Sequence, residues 1–355
     1  MSKVVAFGEI MGRLAAPGYR RFQQAMPGSL ELTFAGAEAT VAAAIAQFGG
    51  KAAFVTALPQ HAVADACVLN LQQQGVDTRH ILRTQQGRLG LFFLETGINQ
   101  RPHQVIYDRE GAAVALTPPE AYDWGAIFEG ASWFHITGIT PALSKNAAEV
   151  TGAALREAST RGLHISVDVN FRSKLWNWEP SMTPRELAAR TLHELMPHVT
   201  VFVGGLDDAR LLGIHLDDHA GDPHADAARQ LVARYPQLTH VAMNLREGIS
   251  AHQSDWGGML YDTSQDKVFR APLREGVYQP YEITAIVDRL GAGDAFAAGL
   301  IFALGTPELA SRETAIAFAT AAGCLAHSIE GDFACFTRAE VEALMQGDAS
   351  SRVKR

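Results

Sequence analysis

An aspartate, Asp294, follows a Gly291-Ala292-Gly293 turn and opens a run of small apolar residues, Ala295-Phe296-Ala297-Ala298-Gly299-Leu300. Glycines at such a turn let backbone N–H groups converge without interference from a Cβ. The positive end of the helix dipole adds to them, so the turn is suited to a phosphate or another anion. A carboxylate placed there repels that anion unless it has work to do. One such task is to accept the proton of an attacking hydroxyl where charge develops. The same residues also fit a plain glycine turn with Asp294 as helix N-cap, and spacing alone leaves both readings standing.

Other polar groups gather at segment ends. Asp168-Val169-Asn170-Phe171-Arg172 follows an apolar run, His164–Val167. Arg172 can hold a carboxylate or phosphate through a two-pronged pair, and Asp168 and Asn170 can orient a metal-bound water or a phosphate. A satisfied loop network is the alternative. In Tyr107-Asp108-Arg109, strand alternation places the phenol and the guanidinium on one face. They suit a ligand bearing hydroxyls and a carboxylate, or else form a cross-strand surface pair. Gly36, Glu38 and Thr40 open an alanine-rich helix, where small residues permit close approach and the polar ones can bond sugar hydroxyls. A tightly packed core helix explains the alanines as well. The histidines and aspartates between His215 and His224 are irregularly spaced and interrupted by Gly221 and Pro223, so they read as a solvated loop. No GxxxxGK, HExxH or GxSxG motif occurs.

Strand and helix patterns alternate around these groups. Buried-strand patterns cover Val4–Phe7, Ala52–Thr56, Trp133–Ile136, His164–Val167, Val199–Val203 and Val241–Leu245. Another strand is expected at Ile286-Val287, entering the glycine turn. Helical patterns cover 37–48, 61–74, 145–159, 184–195, 207–212, 225–234, 294–304, 312–327 and 338–345. Such alternation predicts a mostly parallel sheet with helices on both faces and ligands beyond the carboxyl ends of the strands. Residues 14–34 and 89–115 break the pattern and read as antiparallel strands of a small lid inserted over those ends. The tail 347–355 is polar and basic and is expected to fray.

Apolar residues make up 47% and charged residues 19% of the chain, which places it among ordinary globular proteins. A net charge of −8 argues against nucleic acid or an anionic membrane as the main partner. The longest apolar runs fall short of a membrane span. Cys67, Cys324 and Cys335 form no CxxC pair and read as small buried residues, so a reducing, cytoplasmic location is expected.

The stretch Asp288-Arg289-Leu290-Gly291-Ala292-Gly293-Asp294 resembles the signature of the PfkB group of ribokinase-like carbohydrate kinases. Further stretches resemble its keto-deoxygluconate kinase branch. They are Gly8-Glu9-Ile10-Met11, Gly36-Ala37-Glu38-Ala39, Tyr107-Asp108-Arg109, His135 to Pro141, Asp168 to Arg172 with Leu175-Trp176, Leu245-Arg246-Glu247 and Gly331-Asp332-Phe333. The match keeps order and spacing nearly end to end. It implies a ribokinase-like three-layer αβα sandwich over residues 1–346, with a β-lid that often forms a dimer contact. It also implies transfer of a phosphoryl group from ATP, with Mg²⁺, to a terminal hydroxyl of an open-chain sugar acid. On the resemblance, Asp294 is the base and the amides of Gly291, Ala292, Gly293 and Asp294 form the anion hole. Gly36, Glu38, Thr40, Phe92, Tyr107, Arg109, Arg172 and Asp332 surround the sugar acid. Asn170, Gly204, Asn244, Arg246 and Thr320 fall on the nucleotide side, and Mg²⁺ rides on the phosphates, reached through water from Asp207.

The chain departs from the family pattern at several positions. Gly204-Gly205-Leu206-Asp207 stands where relatives usually carry Asn-Glu-Glu-Asp, Thr40 stands for Asn, Phe92 for Tyr, Asn244 for Thr and Gly248 for Ser. Another sugar acceptor, or a binder without turnover, are the alternatives these departures raise.

Overall fold

The structure is a computed structural model and describes residues 3–216, 221–248 and 250–347. The tail from 348 onward, expected to fray, lies outside the described residues, as do residues 217–220 of the His215–His224 stretch.

The apolar runs become strands. In chain order these are β1 (Lys3–Phe7), β2 (Met11–Ala15), β3 (Glu31–Ala35), β4 (Ala52–Pro59), β5 (Ile81–Thr84), β6 (Gly90–Glu95), β7 (Gln104–Asp108), β8 (Ala131–Thr137), β9 (His164–Asp168), β10 (Val201–Gly204), β11 (His240–Gly248), β12 (Ser254–Asp262) and β13 (Lys267–Ala271). The main sheet runs β13-β12-β11-β10-β9-β8-β1-β4-β5, with Tyr281–Ile283 paired to β12. From β11 through β5 every pairing is parallel. Val4, Val5, Ala6 and Phe7 are fully buried, as a parallel strand covered on both faces requires.

Helices supply the two covers. Ala37–Gln47, Ala62–Gln73, Ala292–Leu304 and Arg312–Ala326 pack one core against the sheet. Lys145–Thr160, Pro184–Leu195 and Pro223–Arg234 pack the other. The expected three-layer αβα sandwich with a mostly parallel sheet is the observed one. Among the described residues no helix is long and apolar enough to cross a membrane.

Several expectations need correction. The antiparallel hairpin β11-β12-β13 closes one edge of the sheet, where no strand was expected between residues 245 and 286. Ile286-Val287 forms no strand. Its amides donate instead to the carbonyls of His252 and Val287's partner His327 (3.0 and 2.8 Å), so an irregular connection enters the Gly291 turn. The small sheet has the order β3-β2-β6-β7. Its outer pairs are antiparallel, but β2 and β6 run parallel, because the chain crosses the main sheet between them. Residues 113–115, expected in the small sheet, belong instead to a short helical turn, Ala113–Leu116, and are buried in the main body. Of the three thiols Cys67 is buried, Cys324 half-buried and Cys335 exposed, so Cys335 is not the buried residue expected.

Helix Ala292–Leu304 carries the aspartate and is held by close contact with Arg312–Ala326. Gly299 makes that contact possible, since a Cβ there would lie 2.9 Å from the Ala319 Cα. Gly299→Ala gains up to about 1 kcal/mol of helix propensity but must push two backbones apart. The overpacking cost of about 1–3 kcal/mol outweighs that gain, so a net loss of stability is expected. A lower urea midpoint than wild type is the expected reading, and an unchanged or higher one contradicts the packing argument.

Candidate active site

A cavity of about 660 Å³ opens between the carboxyl ends of the parallel strands and the small sheet. Its floor is the first turn of helix Ala292–Leu304. Gly291 is the N-cap, with φ of 84°, a left-handed conformation that glycine adopts without strain. No side chain caps this turn, so its first amides are left for an anion. Asp294 is the third helical residue and lines the cavity, which rules out the N-cap reading. Ala292 contributes its amide to the turn while its side chain is buried in the core.

Burial pushes the Asp294 carboxyl well above the ordinary carboxylate range. The negative charges of Asp168, Asp332 and Glu38 add to that push, and Arg172 opposes it. Asp168 ends β9, and burial, with Asp208 next to it, raises its pKa to about 7. Asp208 is raised by burial as well. Its Oδ2 accepts from the Gly205 amide at 2.8 Å. Asp332 is pushed up by burial to about 6, even though Arg13 donates to it. The centre of the cavity is therefore crowded with carboxyl groups that resist ionising together.

Two arginines line the cavity beside this centre, Arg172 after β9 and Arg109 after β7. Arg172 is exposed and makes only a long contact, 3.4 Å, to the Phe171 carbonyl. Arg109 is held differently: its Nε donates to Glu9 Oε2 at 2.8 Å, and its guanidinium lies 5.2 Å from the centre of the Tyr107 ring. Glu9 is buried, and its Oε1 has no hydrogen-bond partner. Phe92, Tyr107, Gly36 and Asp332 also line the cavity, as do Asn170, Gly204, Asn244 and Arg246, with Arg289 close to Arg246. Asn170 has φ of 43°, a left-handed value that asparagine tolerates. Desolvation lowers the pKa of Arg246, and Arg289 is lowered by burial and by Arg246.

Three expected site residues are placed otherwise. Thr40 is fully buried and does not line the cavity. Two helical positions from Glu38 correspond to about 200° of rotation, so a helix that turns Glu38 to the cavity turns Thr40 to the core. Thr320 is also buried: its hydroxyl donates to the Ile316 carbonyl at 2.7 Å and packs over Gly258. Asp207 lies at the cavity mouth and is ion-paired with Arg210 at 2.7 Å, while the neighbouring Asp208 turns inward. Glu38 lines the wall, but its Oε1 already accepts from the Thr137 amide (3.1 Å) and from the Thr137 and Thr140 hydroxyls (both 2.7 Å).

Sequence reasoning did not assign roles to Glu9, Arg13, Asp208 or Arg289. The available signals were a charge just beyond the first buried strand and a lone arginine inside an apolar strand. Among the described residues no three His, Cys, Asp or Glu side chains form a metal cage.

Residues 1–244 match the pfkB family carbohydrate kinase. The chain belongs to this family. Its kinases transfer a phosphoryl group to an alcohol. The chain is 33% identical to the 2-dehydro-3-deoxygalactonokinase of Haloferax volcanii, over 98% of this chain and 97% of the relative. It is 26% identical to the 2-dehydro-3-deoxygluconokinase of Bacillus subtilis, over 84% and 81% of the two chains. The crystal structure of 2-dehydro-3-deoxygluconokinase from Thermotoga maritima superposes with a TM-score of 0.88 at 37% identity, covering 98% of this chain and 100% of that one. In this pfkB family member the uncapped turn and Asp294 thus sit on a fold shared almost end to end with sugar-acid kinases.

The raised Asp168 pKa carries a stability consequence. A carboxyl whose folded pKa is about 7 lies above the ordinary value of about 4. The folded state then loses stability as pH rises between those values. Asp168→Asn removes that penalty. Its thermal midpoint is expected to exceed that of wild type by a few degrees near pH ~8 and to converge with it near pH ~4. A pH-independent difference would contradict the assignment.

Proposed function

We propose that this chain transfers the γ-phosphoryl group of ATP to the terminal hydroxyl of an open-chain 2-keto-3-deoxy sugar acid, 2-keto-3-deoxygluconate first. The observation that carries the reading is Asp294 at an uncapped helix N-terminus, in a cavity that Arg172, Arg109, Arg246 and Arg289 also line. Arg172, which forms no ion pair among the described residues, and Arg109 beside Tyr107 suit the carboxylate and hydroxyls of the acceptor. Gly36, Phe92 and Asp332 complete that set. Arg246, Asn244, Asn170 and Gly204 suit the nucleotide.

Asp294 accepts the proton of the terminal hydroxyl as its oxygen attacks the γ-phosphorus and the bond to ADP breaks. The amides of Gly291 to Asp294 stabilise the charge on the transferring group. Asp168, Asp208 and Asp294 line the cavity without closing into a metal cage, and their carboxyls, shifted toward protonation by burial, would bond the waters of a cation carried on the phosphates. This fits Mg²⁺, which would supply charge neutralisation on the phosphates, with Asp168 and Asp208 the residues to hold its waters. Asp207, engaged with Arg210, is the less suited donor. The small sheet covers the acceptor end and acts as a lid that excludes water.

A second reading has one observation behind it. The Haloferax relative is named for the galactonate acid, the C4 epimer. Initial rates with both epimers and with fructose separate the readings under saturating MgATP. Preference for the galactonate epimer selects the second, and preference for fructose rejects the sugar-acid assignment. Asp294→Asn is expected to bind both substrates and to lose about 10²–10⁴-fold in kcat. Comparable turnover in the variant would remove Asp294 as the base. In the wild type, kcat/KM is expected to fall on the acid side at a pH above the ordinary carboxylate range, because the base is lost as Asp294 gains a proton.

We also place the protein in the cytoplasm as a dimer joined through the lid. The outward row Leu32, Leu14, Phe93 and Ile106 crosses all four lid strands in register, and Leu32 and Ile106 are exposed. Light scattering is expected to give a dimer mass for wild type and a monomer for Ile106→Glu. A monomeric wild type refutes the contact.

A further inference from the structure

Arg13 occupies the middle of β2, in register with Thr33 of β3 and Phe92 of β6. It is 4% exposed, a buried charge in a strand of small and apolar residues. Its side chain leaves the small sheet and reaches two loops of the main body. One guanidinium nitrogen donates to Asp288, and the other donates to Asp332 at 2.6 Å. Both acceptors border the anion-binding turn. Asp288 accepts from the Leu290 amide at 3.1 Å through one oxygen and from the Gly331 amide at 3.2 Å through the other. The backbone of Asp332 lies against Gly291 so closely that a Cβ there would meet its carbonyl at 2.5 Å.

Apolar contacts alone would let a small sheet slide over the loops beneath it. Two charge-assisted bonds from one planar guanidinium to two separate carboxylates fix both loops relative to the strand that bears it. Losing one member of a buried ionic set strands the others without compensation. The arrangement therefore ties the position of the small sheet to that of the turn before Asp294.

We propose that Arg13 is a positioning residue: by bridging the small sheet to Asp288 and Asp332, it sets the Gly291–Asp294 turn relative to an acceptor held beneath that sheet. The proposal deepens the kinase reading and rests on it for its catalytic consequence. Misplacement of reacting groups by about 1 Å can cost about a hundredfold in rate. The bridge therefore acts on kcat more than on binding.

The test compares wild type with Arg13→Met, Arg13→Lys and Asp288→Asn. Steady-state kinetics, calorimetric binding of a non-hydrolysable ATP analogue, and amide hydrogen exchange are measured on each full-length protein. Arg13→Met is expected to lose about a hundredfold in kcat, while analogue affinity stays within about threefold, a difference small beside the affinity scale. Arg13→Lys restores part of the rate, since a point charge keeps one of the two bonds. Exchange in the peptide over residues 290–296 quickens in Arg13→Met while that of β8 is unchanged. A merely structural contact would quicken exchange throughout and spare the kcat of the folded fraction. The proposal is overturned if kcat stays near wild type, or if β8 loses protection together with residues 290–296. Should Arg13→Met fail to fold, Asp288→Asn decides by the same criteria, because its amide oxygen keeps the Leu290 bond while the ion pair is lost. A wild type inactive on every acceptor would refute the kinase reading alone, and exchange at 290–296 would still decide the coupling.

Discussion

Burial of several carboxyl groups in one cavity, with repulsion between them second, is the constraint around which the site is organised. Asp294, Asp168, Asp208 and Asp332 converge beyond the strand ends, and each is pushed toward its protonated form by burial. A fold has no stability reason to gather them. Their concentration is the electrostatic counterpart of a site completed by cations and phosphates from solution. The open amides at Gly291 and the arginines that line the cavity supply the fixed positive field that such a ligand set also needs.

The scaffold that bears this cost is over-determined elsewhere. Helix Ala292–Leu304 is buried along nearly its whole length and is clasped by its neighbour through Gly299. Strands β1 and β8 to β10 are buried along most of their length, and the Ser166 hydroxyl bonds Trp133 and His135 within the sheet, so the loops at their ends are set by a firm frame. The frame's register decides that Asp168, Gly204 and Asn244 reach the cavity from three adjacent strands. The strand ends and the small sheet thus supply the cavity's lining from two separate parts of the fold.

Arginine and carboxylate pairs serve as ties between these two parts. Arg109 is anchored to Glu9, at the end of the first strand, and Arg13 is anchored to Asp288 and Asp332. Arg109 therefore presents a guanidinium already bonded to a carboxylate, whereas Arg172 is held by no ion pair among the described residues and acts on Asp168, Asp208 and Asp294 only through space.

Local pattern was enough for the layers, because a buried parallel strand and an amphipathic helix write their environment into consecutive residues. Val4–Phe7, the helix at 184–195 and the glycine turn before Asp294 were all legible in this way. The resemblance added the kinase family and most of the cavity's residues. What the chain alone did not disclose depends on partners far apart in sequence. The parallel pairing of β2 with β6 follows from how the chain returns over the sheet, and the hairpin β12-β13 from an edge that needed closing. The inward turn of Asp208 in place of Asp207, and the loss of Thr40 and Thr320 to the core, follow from helix phase once each helix has been packed. Side-chain type is a local property and is read directly. The direction in which a side chain points, and the charge that meets it, belong to contacts between segments hundreds of residues apart, as between Arg13 and Asp332, and those exist only when the chain has folded.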